Sequence, residues 1–356
     1  MRLRRLVSRG YRNLVDPDLE APSSGVALLG ANAQGKTNLL EAIYYPVLFR
    51  SFRGSTDQQV MRGDSGGFHV QVEVDGAAAR SVATTFSGRK KRITVDGAEI
   101  GGLAEVVGSW LGVSFLPSDL GLASGPAAER RRYLDRLLSL ANRQYLRALT
   151  QYRAALAQRN SALRQGQVNV AQAFDAALAA PGAELMRSRT EWAVGAAEQF
   201  EAEFDCLAEP GRARLQYRGT TELTEPDSWV SALAGSLAED RARGMTTVGP
   251  HRDDLVLHVG GRRLREYGST GQQRSAAIAL KLLEITTLRA ARGTEPVLLL
   301  DDVFAELDRE RQNRLALRLL GPDERQVFVT SPRRDELPAN LDLPVWEVED
   351  GRVRKS

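Results

Sequence analysis

The stretch Gly25-Val26-Ala27-Leu28-Leu29-Gly30-Ala31-Asn32-Ala33-Gln34-Gly35-Lys36-Thr37 decides the fold. It opens as an apolar run of the length of a buried strand and ends that run in glycine. Gly30 to Thr37 then match G-x-x-x-x-G-K-[ST], and a helix is expected from Thr37 through Val47. Gly30 and Gly35 let successive backbone N–H groups, those of Ala31, Asn32, Ala33 and Gln34 among them, converge on phosphate oxygens at the positive end of a helix. Lys36 is placed to reach the terminal phosphates, Thr37 to offer its hydroxyl to Mg2+, and Asn38 follows at the edge of the same site. An ordinary glycine turn between strand and helix has no need of the Lys-Thr pair, so the segment reads as a nucleotide-phosphate loop.

A second signal stands roughly 265 residues further on. Val297-Leu298-Leu299-Leu300 is a charge-free strand that ends in Asp301-Asp302. Acidic residues often only cap strands, but this pair accompanies a phosphate loop. Asp301 fits the carboxylate that organises Mg2+, and Asp302 the general base that orients attacking water. About 25 residues ahead of that strand, Ser269-Thr270-Gly271-Gln272-Gln273-Arg274 stands just before a helical segment, Gly271 to Ala291. A serine hydroxyl and glycine N–H groups at a helix start make either a plain N-cap or a second anion site.

The chain between these motifs is organised in three parts. From Phe68 to Gly97 apolar and polar residues alternate at period two between glycine turns, as in an antiparallel meander. From Glu129 to Arg164 apolar residues recur at helical spacing; Gly166 and Asn169 break the pattern, Pro181-Gly182 break it again, and a further helix is expected to about Leu207. Strand and helix signals return after Gly244, at Leu255–Val259, Glu310–Leu320 and Val327–Val329. The expected fold class is α/β: a P-loop ATPase head with a mixed sheet (residues 1–118 and 244–356), split by an inserted helical domain (119–243).

With 356 residues and a net charge of +3, the chain has ordinary globular composition. It lacks any run of about eighteen apolar residues, and its N-terminus has no apolar stretch of signal-peptide length, so no membrane partner and a cytoplasmic location are expected. The lone Cys206 reads as a small buried apolar residue, and His69, His251 and His258 have no metal-ligand spacing. Arginines dominate the cations. Arg130-Arg131-Arg132, Arg262-Arg263 and Arg89 to Arg92 are each open between a solvated face and a phosphate contact to DNA.

Taken together the motifs resemble the ABC ATPases of chromosome maintenance, the group that includes SMC proteins, and within it the RecF family. Ser269 to Gln272 resembles the ABC signature S-G-G-Q with Thr270 for the first glycine, and Ala305-Glu306-Leu307-Asp308 resembles the D-loop. The segments Gly249 to Leu255, Ser51-Phe52-Arg53, Gln158-Arg159-Asn160 and Phe115 to Leu120 look like RecF hallmarks. The resemblance implies that Ser269, Gly271, Gln272 and Asp308 meet the nucleotide of a partner chain, giving an ATP-dependent homodimer. It further implies binding of double-stranded DNA near single-strand gaps, cooperation with RecR and RecO in loading recombinase, and a weak, DNA-stimulated ATPase acting as a switch. Two departures point to slow turnover: Phe115 to Leu120 lacks the usual glutamine, leaving Asp119 as a weak stand-in, and Ser331 occupies the place of the switch histidine. Asp302 is also shorter than the usual glutamate. Arg53 is open between nucleotide, DNA and solvent, and His251 to Asp254 between a salt-bridge cluster and a nucleotide contact. The rival readings are another SMC-like ATPase, which wants a longer arm; a transporter ATPase, which wants the switch histidine; and a P-loop kinase, which has no use for Ser269 to Arg274.

Overall fold

Four apolar residues in a row suit Val297–Leu300 because a parallel strand flanks each of its edges and the strand is buried throughout. The computed structural model describes residues 1–63, 65–76, 80–207, 211–219, 223, 225–305, 307–321 and 325–355. In it, Val297–Leu300 lies between Gly112–Phe115 and Val327–Ser331. The sheet continues through Gly25–Leu29 to Val345–Glu349, all parallel, and ends in the antiparallel strand Arg352–Lys355. The C-terminal ends of parallel strands share one edge, so Gly30 and Asp301 are brought to the same side of the sheet. That edge is where open α/β sheets take ligands.

A second six-stranded sheet is antiparallel, in the order Asp18–Glu20, Arg2–Arg9, Phe68–Asp75, Ser81–Phe86, Lys91–Val95 and Ala98–Glu99. The alternation in Phe68–Asp75 is the alternation of its burial, with Phe68, Val70, Val72 and Val74 inward.

Both sheets belong to one compact unit, Met1–Asp119 with Glu284–Ser356; Leu120–Leu283 forms the other. The second unit extends beyond the expected insert of 119–243. The cause is a three-stranded sheet in which Asp254–Val259 pairs along its length with Ala213–Arg218 and at its end with Arg262–Arg263. The helices of this unit bury Tyr145, Tyr152, Leu178, Leu185 and Trp229 in one core.

One local expectation is refined and two are corrected. The pattern from Glu129 to Arg164 is two helices, Ala127–Ala141 and Arg143–Arg164, divided at Asn142, whose side chain caps the second by accepting the Gln144 N–H at 2.8 Å. Pro181-Gly182 does not interrupt its helix, which runs Asp175–Cys206. Proline removes one hydrogen bond there, but Trp229 packs on Gly182 so closely that a Cβ would lie 2.5 Å from its ring. Burial of that face outweighs the break. Cys206, expected buried, is only half-buried. Among the described residues no helix is long and apolar enough to cross a membrane.

Candidate functional site

The loop between Gly25–Leu29 and the helix Lys36–Leu48 needs its glycines for two different reasons. Gly30 has φ +154°, and a Cβ there would lie 2.2 Å from the Val348 carbonyl oxygen. Gly35 caps the helix at φ +113°, outside ordinary L-residue space. The Lys36 amine folds back over the loop and donates to the carbonyls of Gly30 at 2.5 Å and Ala31 at 3.0 Å. Burial pulls its pKa down, opposed by the charges of Asp302, Asp301 and Glu336. Gln34 faces the C-terminal hairpin: its carbonyl accepts the Gly351 N–H at 2.9 Å and its side chain the Asp350 N–H at 2.6 Å.

The acidic pair meets this loop. Thr37 donates its hydroxyl to Asp301 at 2.8 Å. The Thr330 hydroxyl lies 3.0 Å from Asp301 and 3.3 Å from Asp302, and it accepts the Asp302 N–H at 2.9 Å. Burial raises the Asp301 pKa; the Thr37 and Thr330 hydrogen bonds hold it down, the Asp302 charge raises it, and the Arg53 charge lowers it. Asp302 adopts φ +48°, a left-handed conformation that aspartate tolerates better than most residues. The helix N-terminus offers N–H groups to an anion, and the hydroxyl–carboxylate pair offers oxygens to a hard cation.

Arg12, Asn13 and Glu41 carried no signal in the sequence, and they join Asn38, Ser51 and Arg53 around the loop. Glu41 is fully buried in the loop helix and takes a two-pronged contact from Arg12 at 2.8 and 3.0 Å, a hydrogen bond from Ser51, and one from Arg53 at 3.1 Å. Arg53 also donates to Asn38, which itself donates to Asn13 at 2.6 Å. Of the three roles open to Arg53, the structure thus sets it beside the phosphate-loop helix. Pairing of Arg12 and Arg53 with one buried carboxylate is the device a single sequence hides, since Glu41 alone looks like any helical glutamate.

Ser269, Gly271 and Gln272 lie in the Leu120–Leu283 unit, apart in the chain from the loop and the acidic pair. The Ser269 hydroxyl accepts the Gln272 N–H at 3.1 Å, and the Gln272 side chain accepts the Ser269 N–H at 3.0 Å. This is a reciprocal cap on the helix Thr270–Arg292. Asp308 caps the helix Arg309–Leu320 by accepting the Arg311 N–H at 2.9 Å, while its neighbour Glu306 lies outside the described residues. Asp119 accepts the Leu116 N–H at 2.7 Å, and Ser331 donates to the Arg333 carbonyl at 2.8 Å.

His251 to Asp254 form a structural cluster within their own unit. Arg130 grips both oxygens of Asp254, at 2.7 and 2.9 Å, and Asp253 accepts the Tyr217 hydroxyl. Burial pulls the His251 pKa down, which favours the neutral ring; its Nε2 faces the Thr246 carbonyl at 2.9 Å and its Nδ1 the Tyr152 hydroxyl at 2.7 Å. Arg159, fully buried, pairs with Asp175 at 2.8 Å and Asp240 at 2.6 Å. The basic triplet expected on the surface is correspondingly divided: Arg130 is buried, Arg131 donates to the Asp253 carbonyl at 2.6 Å, and Arg132 pairs with Glu129. Lys91 likewise pairs with Asp57 at 2.8 Å.

No family model matches the chain. The DNA replication and repair protein RecF of Anaeromyxobacter sp. (strain K) is 38% identical to it over 369 residues, covering 99% of each chain. A solved structure of the recombination mediator protein RecF with ATP, in the RecFOR pathway, matches at a TM-score of 0.87 and 30% identity, covering 100% of this chain and 97% of that one. The Smc head bound to the C-terminal winged-helix domain of ScpA matches at 0.56 and 17% identity, covering 100% and 98%, a likeness of fold alone. The fold is therefore the α/β head of an ABC-type ATPase. Identity at this level, running from end to end of both sequences, makes this chain a member of the RecF family of DNA replication and repair proteins.

Proposed function

We propose that the protein binds ATP with Mg2+ in the Gly30–Thr37 loop, closes as a homodimer over double-stranded DNA near single-strand gaps, and opens on slow hydrolysis. In the cell it would act with RecR and RecO to load recombinase. The observation that carries this reading is the contact between Thr37 and Asp301, because it joins the two oxygen donors that a metal–nucleotide complex requires. The RecF relative solved with ATP supports the choice of nucleotide.

Thr37 and Asp301 fit Mg2+ as oxygen donors, and the ion there would spread the charge of the phosphates. Lys36 exchanges its bonds to the Gly30 and Ala31 carbonyls for phosphate oxygens. Asp302 orients a water and accepts its proton as the water oxygen bonds to the terminal phosphorus and ADP leaves. A short carboxylate tied to Thr330 suits slow turnover. Ser269 keeps its cap by accepting the Gln272 N–H and can still donate its hydroxyl proton to the partner chain's terminal phosphate. ATP thus adds contacts that exist only in the dimer, which shifts the population toward the closed form; loss of the terminal phosphate removes them.

The test is the rate of phosphate release from ATP alone, with duplex DNA, with gapped duplex and with lipid vesicles. A slow basal rate raised several-fold by DNA and unmoved by vesicles is expected. Stimulation by vesicles, or indifference to DNA, contradicts the reading.

A further inference from the structure

The Leu120–Leu283 unit contains a cavity of about 270 Å³ lined by none of the residues assigned above to the nucleotide. Five arginines line it against two carboxylates, an excess of three positive charges among the described residues. Register explains how they meet. Arg218 lies directly across the sheet from Asp254, and Arg263 across from His258 on the other side of the same strand. Asp254 does not neutralise Arg218, because Arg130 already holds both of its oxygens. Glu266 is paired with Arg263 at 3.3 Å. Arg252 turns to the Thr246 carbonyl at 3.2 Å, a neutral partner that leaves its charge in place. His258 registers the field: burial pulls its pKa down, and the charges of Arg263, Arg218 and Arg214 pull it further.

We propose that this cavity is a phosphate-binding site, with Arg218, Arg252 and Arg265 gripping the oxygens over a floor fixed by the Arg130–Asp254 pair. Guanidinium groups match phosphate oxygens in two-pronged geometry, and Arg218, Arg252 and Arg265, exposed to solvent, converge on one recess where several can hold the same anion. An apolar or cationic ligand would meet uncompensated positive charge. The wall that carries Arg263 and Arg265 leads directly into Ser269, so occupancy of the cavity is linked through three residues to the start of the helix Thr270–Arg292. The phosphate comes either from a nucleic-acid backbone or from a free phosphate compound.

The test uses the full-length Lys36→Ala protein, so that the nucleotide loop contributes little, titrated calorimetrically with inorganic pyrophosphate in the absence of Mg2+. Adding Arg218→Ala and Arg265→Ala, both exposed positions, is expected to weaken binding roughly tenfold or more. Adding Arg212→Ala and Arg243→Ala, which remove the same charge elsewhere in the unit, is expected to leave it within about twofold. Pyrophosphate binding that is absent, unchanged by the first pair, or equally weakened by the second overturns the proposal. A parallel arm measures nucleotide-free retention of a duplex DNA. Loss of both ligands in the first pair assigns the site to a nucleic-acid backbone, and loss of pyrophosphate alone to a free phosphate compound. Only the DNA arm rests on the proposed DNA function. ATP-dependent dimerisation, measured separately with Lys36 intact, reports on the nucleotide reading and is expected to survive the Arg218→Ala, Arg265→Ala change.

Discussion

Thr37 and Asp301 are 264 positions apart in the chain, and the hydroxyl of one donates to the carboxylate of the other at 2.8 Å. The bond fastens the first turn of the loop helix to the end of the strand Val297–Leu300. It also holds a carboxylate in a place where burial disfavours its charge. Stability is given up there to keep two oxygen donors together.

That cost has a measurable sign. A carboxyl whose folded pKa is raised binds its proton more tightly when folded, so its contribution favours the fold at low pH and is lost as pH rises through that pKa. Asp301→Asn removes the buried charge and keeps an oxygen for Thr37 and Thr330. Scanning calorimetry at pH 7 is expected to show Tm raised by about 1–4 °C, with Mg2+-dependent hydrolysis lowered about a hundredfold or more. A lower Tm, or undiminished hydrolysis, argues against the role given to Asp301.

Substitutions at Lys36 are expected to separate binding from turnover. Lys36→Ala is expected to weaken ATP binding about tenfold or more and to abolish hydrolysis, since a charge-assisted contact is lost outright. Lys36→Arg is expected to retain part of the binding and still hydrolyse poorly, because a planar guanidinium cannot occupy the place of a compact ammonium. Equilibrium titration with a fluorescent ATP analogue, beside phosphate release, distinguishes the two; equal loss of affinity in both variants counts against the assignment.

Ser269 is a helix cap in the single chain and, in the proposed dimer, would donate to phosphate. Ser269→Asp keeps a good cap and sets a negative charge against the partner's nucleotide. Its unfolding free energy is expected to stay within about 0.5 kcal/mol of the parent, while ATP-dependent dimerisation fails. Dimerisation at the parental level would leave Ser269 as a cap only.

Arg159 serves the fold of its own unit. Replacing it with leucine leaves Asp175 and Asp240 buried without their partner, at a cost of about 3–5 kcal/mol in urea unfolding. Nucleotide affinity of the folded fraction is expected to be unchanged, because the phosphate loop lies in the other unit. A specific loss of ATP binding in stably folded protein would assign Arg159 a different task.

The strand, loop and helix from Gly25 to Leu48 are legible in the sequence because converging N–H groups demand glycine at fixed offsets, and the charge-free strand before Asp301 because burial on both faces leaves no room for polar alternation. Long-range pairing is what a single sequence conceals. Arg130 reads as one of a surface triplet until Asp254 is found 124 positions away. Pro181-Gly182 reads as a break because the ring that repays it, Trp229, belongs to another helix. Thr330 is one threonine near the end of a mostly apolar strand until its hydroxyl meets both aspartates. Periodicity tells which face of an element is buried and is silent about what that face meets.

The central claim, ATP as the adhesive of a DNA clamp, is tested most directly by sedimentation velocity with Mg2+, with and without ATP, in the presence of duplex or single-stranded DNA. Asp302→Asn belongs beside the parent, since asparagine accepts the φ of +48° at that position and removes the base. The expected result is a monomer without ATP, a dimer that retains duplex DNA with ATP, and a dimer that persists in Asp302→Asn after the parent has hydrolysed its nucleotide and dissociated. A monomer that ignores both ATP and DNA, or an Asp302→Asn protein that hydrolyses at the parental rate and dissociates with it, contradicts the claim.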